Sequence, residues 1–344
     1  MTREDAFILW LASLGIHRPW ELLARHGSAE GVFRNGQVPN ANTDYLAELV
    51  NRTKAAFTGD ARFISYKHGD YPKRLATIPD APLGIFVMGR LPKPDKPAVA
   101  IVGARDNTQY GRQAAEMLAG ELAAAGVVVV SGMARGLDAK AHSAALAAGG
   151  ETCAVLPCGV DVCYPAENHK LYRQIPDNGC LVTEHFPGFR PQKWSFPARN
   201  RIIAGMADVL VVIEAGAKSG TLTTVDHALA QGKDVFAVPG RITDKKSAGT
   251  NELIKQGAHM LTAPEDIFLA LKIGHDDAPD EIPQKISLAT EEALVYACIN
   301  YDPASVDYIL YKTGLNIADA NRILLNIELA GHIKKLPGQK YIKS

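Results

Sequence analysis

Short, β-branched apolar runs alternate with helical segments through the middle of this chain. Runs that are apolar on both faces are typical of strands in a parallel sheet that helices cover on both sides. The alternation therefore predicts an α/β fold with a mostly parallel sheet and helices on both of its faces. The predicted strands are 83–88, 98–102, 127–130, 152–156, 180–183, 209–213 and 235–238, and the main helices between them are 111–125, 139–148, 199–205 and 221–231.

The two ends of the chain differ from this pattern. Residues 1–60 contain helical segments that glycines interrupt, which predicts a small helical module that contacts nucleic acid or protein or only packs. Residues 61–272 are predicted to form the sheet domain. Residues 273–285 are acidic and contain prolines, as flexible linkers do. Residues 286–344 contain three helical segments and a possible hairpin at Pro337 and Gly338, which suggests a winged helix.

Composition excludes some classes of protein and leaves others open. The chain has 37 Lys and Arg residues and 37 Asp and Glu residues, so a basic surface for nucleic acid would have to be local. No apolar run is long enough to predict a membrane segment. The odd count of 5 cysteines favours reduced thiols in a cytoplasmic protein. Cys153, Cys158 and Cys163 lack the short spacing of zinc ligands, so we predict free thiols and neither metal nor cofactor.

The stretch FPARNRIIAG, residues 196–205, combines basic and aromatic chemistry. It places Arg199, Asn200 and Arg201 at the predicted start of a helix, and the loop before it contains Phe189 and Trp194. Guanidinium groups bind phosphates, and aromatic rings stack on unpaired bases. This stretch therefore favours binding of single-stranded nucleic acid, with Phe189 and Trp194 as possible stacking residues.

Four loops rich in glycine and small polar residues follow predicted strands. Ligands gather at the C-terminal ends of parallel strands, where helix-start amides and basic side chains hold anions. Packing glycines and surface cations would leave the same pattern in any single loop. The first loop is neither a dinucleotide fingerprint nor a Walker A loop. The residues predicted to bind phosphate are Gly103, Arg105, Ser131, Gly132, Arg135, Gly159, Tyr164, Lys170, Lys218, Ser219, Gly220 and Thr221, together with residues 199–201.

Asp138 and His142 stand four residues apart and so share one face of a predicted helix. They could form an acid–base pair. Alternatively, Asp138 caps the helix and His142 is an inward, hydrogen-bonded core residue. Tyr164 could likewise either stack on a base or pack against the protein.

The ordered motifs VAIVGAR, SGMARGLDAKAH, CGVDVCYP, FPARNRIIAG, EAGAKSGTLTT and GTNELIKQGA resemble those of the DNA-processing protein A family, DprA or Smf. The resemblance implies an extended Rossmann-like domain that binds single-stranded DNA at its strand ends and has no catalytic activity. It also implies a homodimer that protects incoming strands in natural transformation and helps to load the RecA recombinase. By the same resemblance, the N-terminal helices look SAM-like and the C-terminal segment looks like a winged-helix domain.

The resemblance also assigns roles to particular positions. Arg105 matches the family's phosphate-contacting arginine, and residues 199–201 match its basic signature. Some members use a lysine directly after the Tyr-Pro turn, where this chain has Ala166, and Lys170 and Lys140 are candidates to compensate. Only Arg322 is basic near the exposed start of the third C-terminal helix. We therefore predict that this domain binds duplex DNA weakly and has a protein-binding or structural role.

Two other functions remain open from the sequence. Residues 219–221 after Glu214 resemble, without the double glycine, a loop of the nucleotide phosphoribohydrolases, which have a lysine-decarboxylase-like fold. A nucleotide-binding enzyme of this kind would use Glu214, Asp138 and His142 for acid–base chemistry. A pure protein-interaction scaffold is the third hypothesis.

Overall fold

The computed structural model describes residues 1–16, 18–57, 61–273, 290–300 and 303–343. The chain divides into two compact units, Met1–Ile273 and Gly274–Ser344. Apart from Ile273, the predicted linker lies outside the described residues. None of the described helices is long and apolar enough to cross a membrane.

A nine-stranded sheet forms the centre of the first unit. The strands are β1 Arg62–Ser65, β2 Gly84–Gly89, β3 Ala98–Val102, β4 Val128–Ser131, β5 Thr152–Val155, β6 Gly179–Thr183, β7 Val209–Val212, β8 Asp234–Ala237 and β9 His259–Met260. Their order across the sheet is β1-β2-β6-β5-β4-β3-β7-β8-β9. Only β1–β2 and β2–β6 pair in antiparallel fashion, and every other neighbouring pair is parallel. The predicted α/β class with a mostly parallel sheet is confirmed.

Helices cover both faces of this sheet. The helices of the first unit are α1 Arg3–Ser13, α2 Pro19–His26, α3 Ala29–Asn35, α4 Thr43–Ala55, α5 Lys73–Ala76, α6 Gln109–Ala124, α7 Leu137–Ala147, α8 His169–Gln174, α9 Ser195–Gly205, α10 Leu222–Ala230, α11 Ala248–Lys255 and α12 Pro264–Ala270. Alternate residues of a strand face opposite sides. On β3, Ala100 therefore joins the core with Ile202 of α9, whereas Ile101 joins the core with Leu118 of α6.

The N-terminal helices pack against the antiparallel edge of the sheet. The buried carboxylate of Asp5 on α1 accepts a hydrogen bond from the Ser65 hydroxyl of β1 at 2.6 Å. The indole Nε1 of Trp20 donates to the Ala81 carbonyl at 2.9 Å. A polar contact from each of two helices thus fixes this module to the sheet. The sequence analysis did not identify α3, which begins where the Ser28 hydroxyl accepts from the Gly31 amide at 3.0 Å.

The described residues of the second unit form three helices and a small sheet. Its elements are α13 Thr290–Ala297, β10 Ala304–Ser305, α14 Val306–Thr313, α15 Ile317–Leu329, β11 Ile333–Leu336 and β12 Lys340–Lys343. The hairpin β11–β12 turns at Pro337 and Gly338, as predicted. The sheet order is β10-β12-β11, and Ile309, Ile323 and Ile333 lie in the core that joins helices and hairpin.

A buried hydrogen-bonded histidine connects α7 to the sheet. The Nδ1 of His142 lies 2.6 Å from the hydroxyl of Thr152 on β5. That hydroxyl donates to the Val129 carbonyl at 2.7 Å, so its oxygen accepts from His142 Nδ1–H. Burial, assisted by the charge of Arg199, lowers the pKa of His142 to about 3. His142 is therefore an inward, hydrogen-bonded core residue, which is the alternative that the sequence analysis set against an acid–base pair with Asp138.

This histidine predicts a loss of stability in mild acid. An unfolded histidine titrates near pH ~6.5. Because the folded pKa is about 3, the unfolded chain takes up the proton first, so stability is lost as the pH falls from 6.5 towards 3. We expect His142 alone to cost about 1.4 kcal/mol between pH 8 and pH 5.5. Urea unfolding of the wild type and His142→Asn at both values measures this, since the variant lacks the titration. Equal acid losses in the two proteins would contradict the assignment.

Candidate nucleic-acid interface

Two adjoining cavities lie at the C-terminal edge of the parallel strands. Their volumes are about 320 Å³ and 650 Å³, and we name them the small lobe and the large lobe. They form one two-lobed pocket, because both are lined by Arg105, Asp106, Ala134, Phe196 and Arg199. The loops after β3, β4, β5 and β7 supply most of the lining. A pocket at this edge is where a parallel α/β sheet binds ligands.

The structure brings together most of the residues that the sequence singled out. Pro157, Met133 and Lys246 also line the pocket, and no sequence pattern pointed to them. The predicted residues that line neither lobe are Ser131, Gly159, Lys170, Phe189, Trp194 and Arg201. Those that line it are Gly103, Arg105, Gly132, Arg135, Tyr164, Arg199, Asn200, Lys218, Ser219, Gly220 and Thr221.

Arg105 presents its charge to the pocket. It is exposed, and its guanidinium carbon lies 5.2 Å from the centre of the Phe196 ring, a cation–π distance. Lys218 is exposed and lines the large lobe. Among the described residues, neither cation forms an ion pair with a carboxylate, so both are available to an anionic ligand.

Arg199, in contrast, is part of the pocket floor. Helix α9 begins at Ser195, so Arg199 lies in its second turn. The sequence analysis had placed Arg199 at the start of the helix. Its side chain is buried and donates from Nη1 to the carbonyls of Gly132 and Val155. A Cβ on Gly132 would lie 2.5 Å from that nitrogen, so only glycine allows this approach. Burial lowers the pKa of Arg199 to about 10, although nearby Asp138 opposes the shift.

Asp138 holds the backbone of the neighbouring loops. The cap of α7 is Gly136, with a φ of 82°, and not Asp138 as expected. The buried carboxylate of Asp138 accepts from the amides of Gly132 at 3.2 Å and Ala134 at 3.3 Å. Burial raises the pKa of Asp138. The charge of Arg199, these two amides and the amide of Gly103 all oppose that rise. Loop amides predicted to hold phosphate therefore bind the protein's own carboxylate.

Glu214 fills a second predicted anion site. Its buried carboxylate accepts from the Thr108 amide at 3.0 Å and from the Thr108 hydroxyl, at the start of α6. The sequence analysis left open whether the start of this helix holds a ligand anion, and in the structure its Thr108 amide binds the protein's own carboxylate. Asp138, His142 and Glu214, the residues considered for acid–base chemistry, each make separate hydrogen bonds that stabilise the fold.

The start of α10 faces the large lobe. The Ser219 hydroxyl accepts from the Thr221 amide at 3.2 Å and donates to the Thr221 hydroxyl at 3.0 Å. Asn200 Nδ2 donates to the Thr223 hydroxyl at 2.7 Å, and this bond joins α9 to the first turn of α10. Hydroxyl groups, a helix start and the nearby Lys218 make this the wall of the pocket best suited to a phosphate.

Arg201 and the predicted lysines lie elsewhere. Two residues apart on a helix do not share a face, so Arg201 points away from Arg199 and pairs with Glu184. Lys140 pairs with Glu116 at 2.7 Å, and Lys170 is exposed on α8 outside both lobes. Neither lysine lines the pocket, and neither does Ala166. Ser131 is a core residue whose hydroxyl donates to the Ile101 carbonyl at 2.6 Å, and the Gly159 amide donates to the Phe189 carbonyl at 2.9 Å.

Two aromatic groups lie along this edge. Tyr164 and Phe196 line the small lobe, with their ring centres 5.7 Å apart. His185 and Phe189 stack at 4.3 Å beside Trp194, which is 59% exposed after β6. The predicted stacking residues Phe189 and Trp194 thus form a separate aromatic group outside the pocket. Phe196, which belongs to the basic and aromatic stretch but was not among the predicted stacking residues, lies beside the Arg105 guanidinium in the pocket.

The chain matches known proteins along both units. The family model of DNA recombination-mediator protein A matches residues 62–272, and that of the DprA winged helix domain matches residues 278–339. Protein Smf of Escherichia coli is 36% identical over 275 residues, which cover 78% of this chain and 74% of the relative. The first unit's fold and the second unit's helices and hairpin agree with these matches.

Two solved structures are also similar. The X-ray structure of DNA processing protein A from Streptococcus pneumoniae has a TM-score of 0.66 and 33% identity, over 78% of this chain and 98% of that one. That of the Helicobacter pylori protein, described for its unique single-stranded DNA binding mode, has a TM-score of 0.56 and 34% identity, over 62% and 95%. The fold, the ordered motifs and the family matches agree: this chain belongs to the DprA/Smf family of DNA recombination-mediator proteins.

Proposed function

We propose that this protein binds single-stranded DNA in the two-lobed pocket and acts as a DNA-processing protein in natural transformation. The observation that carries the proposal is the position of Arg105, an exposed arginine without a carboxylate partner among the described residues, stacked on an aromatic ring inside the pocket. A phosphate pairs with such a guanidinium while a base lies against a neighbouring ring. The binding mode named for the Helicobacter pylori protein supports this assignment.

The chemistry of the pocket favours tolerance of DNA sequence. Arg105, Lys218 and the start of α10 offer contacts to phosphates, and Tyr164 and Phe196 offer ring faces. Phosphate contacts carry no sequence information, and stacking suits every base. Duplex DNA keeps its bases stacked internally, so the rings of the small lobe gain nothing from it. Binding is therefore selective for the single strand and largely independent of its sequence.

Replacing Arg105 tests the centre of the proposal. Arg105→Ala removes a charge-assisted contact worth about 1.5–3 kcal/mol, so we expect roughly 10- to 100-fold weaker single-strand binding. The slope of log K against log salt becomes shallower by about 0.7, because one phosphate contact is lost. Fluorescence anisotropy with labelled single strands and duplexes at several salt concentrations measures both effects.

Arg52→Ala is the matched control for that experiment, because Arg52 is an exposed arginine on α4 outside the pocket. It removes the same net charge and is expected to bind as the wild type does. A folded Arg105→Ala protein with unchanged affinity would remove Arg105 from the site. Failure of the wild type to bind any single strand would overturn the proposed function.

We assign Arg199 a positioning role and no direct contact with phosphate. Arg199→Met leaves the buried Gly132 and Val155 carbonyls without their donor, which costs about 1–3 kcal/mol for each unsatisfied group, and it leaves the charge of the Asp138 carboxylate without a nearby cation. The double variant Asp138→Asn/Arg199→Met removes that charge too, so we expect it to recover part of the lost stability. Urea unfolding of the four proteins of this cycle measures the coupling. Additive losses would show that the two buried groups act independently.

The proposal includes a homodimer that protects bound strands and helps to load RecA, as the family resemblance implies. Sedimentation equilibrium is expected to give twice the chain mass of 37.0 kDa. The protein should slow nuclease digestion of single strands and shorten the lag of RecA ATP hydrolysis on strands covered by single-strand-binding protein. Arg105→Ala is expected to lose both effects. A wild type that binds DNA but leaves the lag unchanged would remove RecA loading and keep the DNA-binding function.

A further inference from the structure

An ion pair joins two loops at the mouth of the large lobe. The ammonium of Lys246, in the loop after β8, hydrogen-bonds the carboxylate of Asp106, in the loop after β3. Both residues line the large lobe, and Asp106 lines the small lobe as well. The hydrogen bond and the charge of Lys246 lower the pKa of Asp106, so its carboxylate is ionised at neutral pH. A negative charge thus sits beside Arg105 in a pocket proposed to take phosphate.

The position of this pair in the fold is unusual for a surface contact. β7 lies between β3 and β8 in the sheet, so the pair spans two strand spacings, roughly 10 Å, across the end of β7. Residues 218–221 follow β7 and lie in the same lobe. The pair therefore lies in the same lobe as Lys218 and the start of α10, the wall proposed to bind phosphate.

Asp106 differs from the other carboxylate that lines the pocket. Asp138 is buried and holds loop amides, whereas the side chain of Asp106 is 91% exposed and has Lys246 as its only side-chain partner among the described residues. Exposed ion pairs contribute little to stability, about 0–1 kcal/mol. Opening this pair therefore costs the fold little, and a phosphate can take the place of the carboxylate on Lys246.

We propose that Asp106 limits the affinity of the pocket for DNA by occupying Lys246, and that Lys246 becomes a phosphate ligand when a strand displaces Asp106. The inference rests on the proposed function and adds to it a residue that weakens binding. It assigns Lys246 to the DNA site, although its charge is neutralised in the free protein. The displaced carboxylate then repels the strand, which keeps binding reversible.

Asp106→Asn tests the inference directly. The variant frees Lys246 and removes the repulsion, so we expect three- to tenfold tighter single-strand binding and a salt slope steeper by up to about 0.7. Lys246→Gln in the Asp106→Asn background is expected to abolish that gain. Asp95→Asn is the matched control, because Asp95 carries an exposed carboxylate and precedes the N-terminal end of β3, whereas the pocket lies at the C-terminal end of that strand. It changes net charge equally, far from the pocket.

The outcomes separate this inference from the proposed function. Suppose that the wild type binds single strands and that Arg105→Ala binds them more weakly, as expected. Equal affinities of Asp106→Asn and Asp95→Asn would then overturn the role of Asp106 and leave the proposed function intact. A gain that persists in Asp106→Asn/Lys246→Gln overturns the role of Lys246. If neither the wild type nor Asp106→Asn binds single strands, both proposals fail. Melting temperatures of all variants show whether each is folded, and we expect changes of only a few degrees because the pair is exposed.

Discussion

The pocket depends on two charged groups that are buried together beneath it. Arg199 binds the carbonyls of Gly132 and Val155, and Asp138 binds amides of the loops after β3 and β4. Burial of charge is costly unless hydrogen bonds compensate it, and here the loop backbone supplies those bonds. The buried side chains of Arg199 and Asp138 therefore depend on the conformation of these loops, and the loops depend on the hydrogen bonds of both side chains. This mutual requirement gives the pocket a rigid floor.

Because the floor residues already bind one another, a ligand must be bound by the exposed residues that line the pocket. The Gly132 amide already binds Asp138, and the Thr108 amide already binds Glu214. These amides therefore stabilise the loop conformation and are not free to donate to a ligand. Arg105 and Lys218 remain exposed, and both line the large lobe. A rigid floor with a few cations above it fits a ligand that must be held and then released, because each exposed contact contributes modestly and is weakened by salt.

The sequence predicted the strands well because parallel strands buried on both faces leave a local signal in their own residues. The short edge strands β1 and β9 include Arg62 and His259, which hide that signal, and both were missed. The site was predicted less well. The closeness of Arg199 and Arg201 in the sequence suggested that they act together. The helix instead directs Arg199 to the pocket floor and Arg201 to Glu184. Which face of α9 is buried depends on tertiary packing, and its residues alone do not encode it.

The ion pair of Asp106 and Lys246 shows the same limit and bears on the neutral charge of the chain. The partners lie 140 positions apart, and no periodicity connects them. Equal numbers of acidic and basic residues, counted over the whole sequence, gave no support to nucleic-acid binding and required any basic surface to be local. In the folded protein, Asp138 faces inward and Asp106 is held by Lys246, so the potential that a strand meets is set by Arg105 and Lys218. Affinity for a polyanion is a property of which charges remain unpaired at one edge of the sheet, and a neutral chain can supply them.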